Sequence, residues 1–174
     1  MLYNAAGQNE KMLKLHQIIP PLTARAADGR VVQAWDFKQK YSLAIVFLHA
    51  GCRPCADYLE RLRENAAELK EREAVALVIF SETPSSHENF PAQIVVAADV
   101  SGKSQRAFLG EDAFGPAGQS RVGVFVTDRY GELRAQWSGP HEGALPQPDE
   151  ILELLSQIQM ACEECFPPEW KLES

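Results

Sequence analysis

Long apolar runs are missing from this sequence. A membrane-spanning helix needs about 18 or more consecutive apolar residues. The longest strongly apolar pieces, residues 43–48 and 75–80, have only the length of strands, so no membrane span is expected. The first 17 residues, MLYNAAGQNEKMLKLHQ, also lack the apolar stretch of a signal peptide, and a cytoplasmic protein is expected. Positive charge is scarce: 17 Lys and Arg stand against 24 Asp and Glu, for a net charge of −7, with no basic run. Such a chain repels phosphate backbones, so no nucleic-acid partner is expected. Internal repeats, low-complexity segments and a second domain boundary are absent as well. At 45% hydrophobic and 24% charged residues, the composition argues against disorder, collagen and coiled coil. A chain of 174 residues fits one domain, large enough to bury a core without staples.

Cysteine is sparse but patterned. The four cysteines form two Cys-x-x-Cys pairs, Cys52-Arg-Pro-Cys55 and Cys162-Glu-Glu-Cys165. In a reducing compartment such pairs point to redox chemistry or metal binding more than to a permanent staple.

The hydrophobic pattern places these pairs. Residues 1–16 form a loose polar leader, and Pro20-Pro21 breaks any helix there. Residues 22–26 and 31–34 flank Asp28-Gly29, a hairpin signal, and 35–40 connect onward. Residues 43–48, LAIVFL, form a strand covered on both faces. A helical pattern starts at Pro54, with Leu59, Leu62, Ala66 and Leu69 on one stripe. Further strands are expected from 73 to about 81, over 93–97, and as a meander over 122–127 and 132–137. Short helices are expected toward Phe90 and over 104–109, with loops over 111–120 and 139–147. A last helix spans 149–165, with Ile151, Leu155, Ile158, Cys162 and Cys165 on one stripe. Residues 17–165 then form the single domain and 166–174 a tail. The strand–helix–strand unit is parallel by the right-handed crossover rule, and the late meander adds antiparallel strands. The expected class is α/β, a central mixed sheet flanked by helices, with an N-terminal β-hairpin.

This order sets the first cysteine pair between a buried strand and the start of a helix. The nucleophile in thiol chemistry is the thiolate. At a helix N-terminus, unpaired N–H groups and the dipole favour the charged form, and Arg53 adds a cation. Pro54 suits the first turn, where its missing N–H has no partner to lose. Cys55 lies one turn on and is the more buried. Attack by Cys52, a mixed disulfide and resolution by Cys55 follow from this placement. The bland alternative is two unreactive buried cysteines or half a metal site. His49, three residues before Cys52, is either a proton relay for the thiolate or a strand-ending residue with a local hydrogen bond. His16, His87 and His141 have no partner constellation and are expected on the surface.

Residues 42–69 resemble the active-site segment of thioredoxin-fold proteins. Ile19-Pro20-Pro21-Leu22 through Asp28-Gly29-Arg30-Val31-Val32 resembles the N-terminal hairpin of the redoxin branch, the alkyl hydroperoxide reductase/thiol-specific antioxidant type. Residues 98–103 with 107–110, and 124–131 with their Asp-x-x-Gly turn, resemble that family's later landmarks. The resemblance covers about residues 18–160 and implies a thioredoxin-like fold. It also implies two activities, thiol–disulfide exchange or peroxide reduction through Cys52. A typical peroxiredoxin carries Thr or Ser where this chain has His49, and Pro where it has Ile45. It carries Arg where this chain has Val122, with Arg121 one residue off. Those groups polarise the peroxide bond, so their loss disfavours peroxidase chemistry. Thioredoxins in turn carry Trp where this chain has Gly51 and a cis-proline where it has Val122. The leading expectation is a thiol–disulfide oxidoreductase acting on protein disulfides. A peroxiredoxin-like peroxidase acting on peroxides through sulfenic acid at Cys52 is the alternative, and a non-enzymatic metal-binding module the second. No organic cofactor is required. The reductant is a dithiol such as a thioredoxin system, and a homodimer stays open.

For Cys162 and Cys165 three readings stand: a shuttle dithiol, half of a zinc site, or a structural pair or local disulfide. The last helix is expected to run away from Cys52. Its 17 residues span about 25 Å at 1.5 Å each, which disfavours exchange or a shared metal within one chain. The two intervening glutamates also disfavour thiolates there.

Overall fold

In the computed structural model, residues 13–84, 89–113 and 121–161 are described. Seven strands form one sheet: β1 (Thr23–Ala26), β2 (Val31–Gln33), β3 (Ser42–Leu48), β4 (Ala74–Phe80), β5 (Ile94–Ala98), β6 (Val122–Thr127) and β7 (Leu133–Gly139). Their order is β2-β1-β5-β4-β3-β6-β7. The inner trio β5, β4 and β3 is parallel. The hairpin β1–β2 joins it antiparallel through β5, and β6 and β7 close the other side antiparallel. The helices are α1 (Arg53–Glu64), α2 (Ala66–Glu71), α3 (Lys103–Leu109) and α4 (Pro148–Met160), with 3-10 turns at Ala34–Phe37, Glu111–Ala113 and Glu142–Ala144. The α/β class, the mixed sheet and the N-terminal hairpin are as expected. None of the helices among the described residues is long and apolar enough to cross a membrane.

Every residue of β3 and β4 is buried, which is why both read as unbroken apolar runs. Alternation divides them between two cores. Ala44, Val46 and Leu48 face α1, α2 and α4 together with Tyr58, Leu62 and Leu155. Leu43, Ile45 and Phe47 face the other way, toward the hairpin and Phe108 of α3. A strand buried on both sides has no freedom of register, since a slip of one residue would exchange the two faces. The end of β3, where the dithiol follows, is therefore fixed from both layers.

Two motifs of the resemblance are turn chemistry. Asp128 Oδ1 accepts the backbone N–H groups of Tyr130 and Glu132 at 2.9 and 3.0 Å, and Arg134 donates to Oδ2 at 3.1 Å. Asp99 Oδ2 accepts the Gln105 N–H at 3.0 Å, and Oδ1 accepts the Ser101 hydroxyl at 2.9 Å. Side-chain oxygens that satisfy turn N–H groups are the reason Asp is favoured at such places.

The structure departs from the sequence reading in four places. The helix that opens at the dithiol breaks at Asn65, whose side-chain amide donates to the Arg61 carbonyl at 2.7 Å and competes with the backbone ladder. The last helix ends at Met160, and Ala161 is extended. Helices hold together mainly through their packed face, and the apolar packing of α4 stops at Ile158. Cys162 and Cys165, expected on that helix, lie outside the described residues, as do His87 and much of the helix expected before Phe90. His16 is exposed, as expected, but it has a partner: its Nδ1 is 3.0 Å from Oε1 of buried Glu132. Residues 13–19 also lie against the start of β7: His16 N–H donates to the Leu133 carbonyl at 2.8 Å and Leu133 N–H to the Gln17 carbonyl at 2.9 Å.

Candidate active site

Leu48, the last residue of β3, lies at the centre of the sheet, and the chain leaves it through His49, Ala50 and Gly51 before α1 begins. Gly51 has φ +69°, and a Cβ there would meet nothing within 4 Å. Only backbone conformation selects glycine at this point, since left-handed backbone costs an L-residue about 1–2 kcal/mol. This accounts for the absence of an aromatic residue before Cys52. Gly51→Ala is expected to lower stability by about that amount, seen in urea unfolding; an unchanged midpoint would show that the loop re-forms at no cost.

Cys52 is the N-cap of α1. Its backbone is extended (φ −96°, ψ 119°), and its carbonyl accepts the first helical N–H, from Ala56, at 3.0 Å. Arg53 and Pro54 open the helix, both exposed, and Cys55 completes the first turn fully buried. Cys52 is half-buried. Arg53 makes no hydrogen bond or ion pair among the described residues. One imidazole nitrogen of His49 and the sulfurs of Cys52 and Cys55 all lie within 4.8 Å of one another. The five residues singled out in the sequence thus converge at one end of β3. His49 is brought there by the strand, the other four by the helix start.

Burial is the main cause that pushes the Cys55 thiol from an ordinary 9.0 up to about 12, and a side-chain hydrogen bond with Cys52 acts the same way. A hydrogen bond with the His49 backbone opposes them, while the charges of Cys52 and Glu142 add to the rise. Cys55 is therefore a thiol in the resting protein. A raised folded value favours the protonated form, so its contribution to stability is fully present below 9.0 and is lost as pH climbs toward 12. We expect wild type to lose stability more steeply than Cys55→Ala across that window. Urea unfolding at stepped pH reads this, and parallel curves for the two proteins would contradict it.

A cleft of about 1460 Å³ opens in front of this group. His49, Cys52 and Arg53 lie on its wall, with Glu82, Phe90 and Pro91 from the segments around β4 and β5. Nothing in the local pattern points to Glu82, Phe90 or Glu142, because the first two come to the cleft, and the third within electrostatic reach of Cys55, only through the packing of other strands and loops. Tyr58, one turn beyond Cys55, fixes α1 against the loop before α4. Its hydroxyl donates to the Pro146 carbonyl at 2.7 Å, and burial keeps the phenol protonated as a donor. Val122, on β6, faces the same core as Cys55. Arg121 precedes it, and its N–H bonds the carbonyl of Ala113, which belongs to the opposite core, at 2.8 Å.

Gly139 pairs with Val122, so β7 ends at the same end of the sheet as the dithiol. From there α4 starts beside Tyr58 and Arg61, where Arg61 donates to Gln147, and finishes with Gln159 on the Glu71 carbonyl at 3.3 Å. It runs away from Cys52, as expected.

A strand, a capped helix and a dithiol at their junction, in a sheet of this order, define a thioredoxin-like protein. A sequence model of the AhpC/TSA family matches residues 15–136, and the chain belongs to that family. Among curated proteins none matches it in sequence. Several solved structures share the fold. A peroxiredoxin-like protein from Aquifex aeolicus aligns with a TM-score of 0.69 at 16% identity, over 85% of this chain and 89% of its own. The reduced 2-Cys peroxiredoxin of Plasmodium vivax gives 0.70 at 16%, over 92% and 90%. A candidate thiol:disulfide interchange protein DsbE from Chlorobium tepidum gives 0.62 at 21%, over 86% and 99%. Family and dithiol together support redox thiol chemistry, of the oxidoreductase class.

Proposed function

We propose that this protein is a thiol–disulfide oxidoreductase, with Cys52 as nucleophile and Cys55 as resolving thiol. One observation carries the reading: a half-buried cysteine stands at the N-cap position of a helix on the wall of a cleft, and a buried thiol lies within 4.8 Å of its sulfur. Cys52 attacks one sulfur of a substrate disulfide, forms a mixed disulfide and releases the first thiol. Cys55 then loses its proton and attacks the Cys52 sulfur, releasing the second. The substrate gains two electrons and two protons, and the protein keeps an intramolecular disulfide. In this reading His49 takes the Cys55 proton, and Arg53 steadies the charge on Cys52. A dithiol reductant of the thioredoxin type closes the cycle. Protein disulfides fit the wide, partly apolar cleft. The cytoplasm, where disulfides are kept reduced, is the compartment this activity suits.

Family membership favours a second reading, reduction of peroxides through a sulfenic acid on Cys52 that Cys55 condenses with. Against it stand His49 and Val122 at the positions where the resemblance implies Thr or Ser and Arg, the groups that polarise the peroxide. Mixing reduced protein with stoichiometric hydrogen peroxide and following thiol loss over seconds separates the two. Slow loss with ready reduction of insulin disulfides supports exchange. Fast loss dependent on Cys52 replaces it with peroxidase chemistry.

A further inference from the structure

The group at the end of β3 has a second property that disulfide exchange does not use. Two thiols and an imidazole meet there with their ligand atoms within 4.8 Å of one another. Zinc bonds of about 2.3 Å to sulfur and 2.0–2.1 Å to nitrogen place tetrahedral ligand atoms roughly 3.5–3.8 Å apart. An inward movement of about 1 Å, within reach of side-chain rotation, therefore closes the set. Two thiolates and one imidazole are a donor set that suits zinc over magnesium or calcium.

We infer that the reduced protein binds one Zn²⁺ through His49, Cys52 and Cys55, with the fourth position open to water from the cleft. His49 and Cys52 are half-buried and line the cleft, so the metal has a path in. Cys55 supplies the buried side of the site. Two thiolates cancel the charge of the ion, and the Glu142 carboxylate, which acts on Cys55 through its charge, adds to the attraction. Binding exchanges two thiol protons for the metal. The complex cannot attack a disulfide, because the Cys52 electron pair is held by zinc. Oxidation reverses it: the two thiolates give two electrons to hydrogen peroxide, which with two protons leaves as two waters. The cysteines then join as a disulfide, and Zn²⁺ is released. Zinc occupancy thus depends on the redox state of the same pair. This inference rests on the ligand geometry and not on turnover, so exchange activity can stand or fall independently of it.

The test uses the full-length reduced protein under argon, titrated with Zn²⁺ against a chromophoric chelator and, separately, with Co²⁺. One equivalent is expected, with release of about two protons. Cobalt should give thiolate charge-transfer bands and the strong visible bands of a tetrahedral site. The double variant Cys162→Ser/Cys165→Ser should keep the equivalent, and Cys52→Ser/Cys55→Ser should lose it. His49→Ala should weaken binding more than tenfold with circular dichroism unchanged. Adding peroxide should free the metal as the thiols disappear. No uptake, or uptake that survives loss of Cys52 and Cys55, overturns the proposal. Unchanged affinity in His49→Ala overturns the three-ligand site.

Discussion

Cys52→Ser is expected to lower the rate of insulin reduction by several orders of magnitude, to the level of the reductant alone. A hydroxyl at this position is a far weaker nucleophile than a thiol, and no other described sulfur lies at the cleft. Cys55→Ser is expected to fail differently. Cys52 still attacks, but no other thiol among the described residues stands within reach to resolve the mixed disulfide, so turnover is expected to stop after one event and the adduct to accumulate. Non-reducing mass spectrometry of the two variants after exposure to a disulfide reads both outcomes. The adduct should form on Cys55→Ser in one equivalent and not on Cys52→Ser. Adduct on Cys52→Ser at a comparable rate would move the nucleophile to another cysteine, Cys162 or Cys165 included. Equal activity of both variants would remove the dithiol from the reaction.

The second large effect is structural and lies on the opposite face of the sheet. Phe47, Phe108 and Phe125 form a closed triangle, with ring centroids 5.4, 5.8 and 5.1 Å apart. Each is at most 2% exposed. The edge-to-face pairings of Phe125 with the other two are the arrangement that ring quadrupoles favour. Phe125→Ala removes a whole ring from between two strands and α3, and the neighbours cannot collapse into the space. A loss of about 3–5 kcal/mol is expected, against a total stability of about 5–15 kcal/mol. For a chain of this size that lowers Tm by roughly 2–4 °C per kcal/mol. Urea unfolding measures it, with thiol reactivity of the folded fraction as a control. A loss below about 1 kcal/mol would mean that this core repacks freely. The two predictions are independent, since Phe47 and Leu48 point to different faces of the same strand.

Much of the site was legible in the sequence because its parts are neighbours in the chain. The run from residue 43 to 48, then His49, Cys52, Arg53, Pro54 and Cys55, states a strand, a turn and a helix start in order. Local rules are enough to put a cysteine at the helix cap and a second one turn in. Less legible was where helices stop. Asn65 ends α1 through a hydrogen bond from its own side chain, and α4 stops where its contact with the core runs out, ahead of Cys162. Neither ending carries a Gly or Pro, and of the usual stop signals only Asn65 itself is present, inside a hydrophobic stripe that continues past it to Ala66 and Leu69.

The sequence alone therefore determined the class of fold, the two-sided burial of β3 and the chemistry available at its end, because alternation, apolar runs and capping act over a few residues. Tertiary structure alone decided what surrounds the sulfurs. It set the depth of Cys55, brought Glu142 within electrostatic reach and built the cleft wall from Glu82 and Phe90. It also turned His49 toward both thiols. These follow from the order β2-β1-β5-β4-β3-β6-β7, which joins segments far apart in the chain. The desolvation that raises the Cys55 thiol is a sum over those segments, and no local pattern carries it.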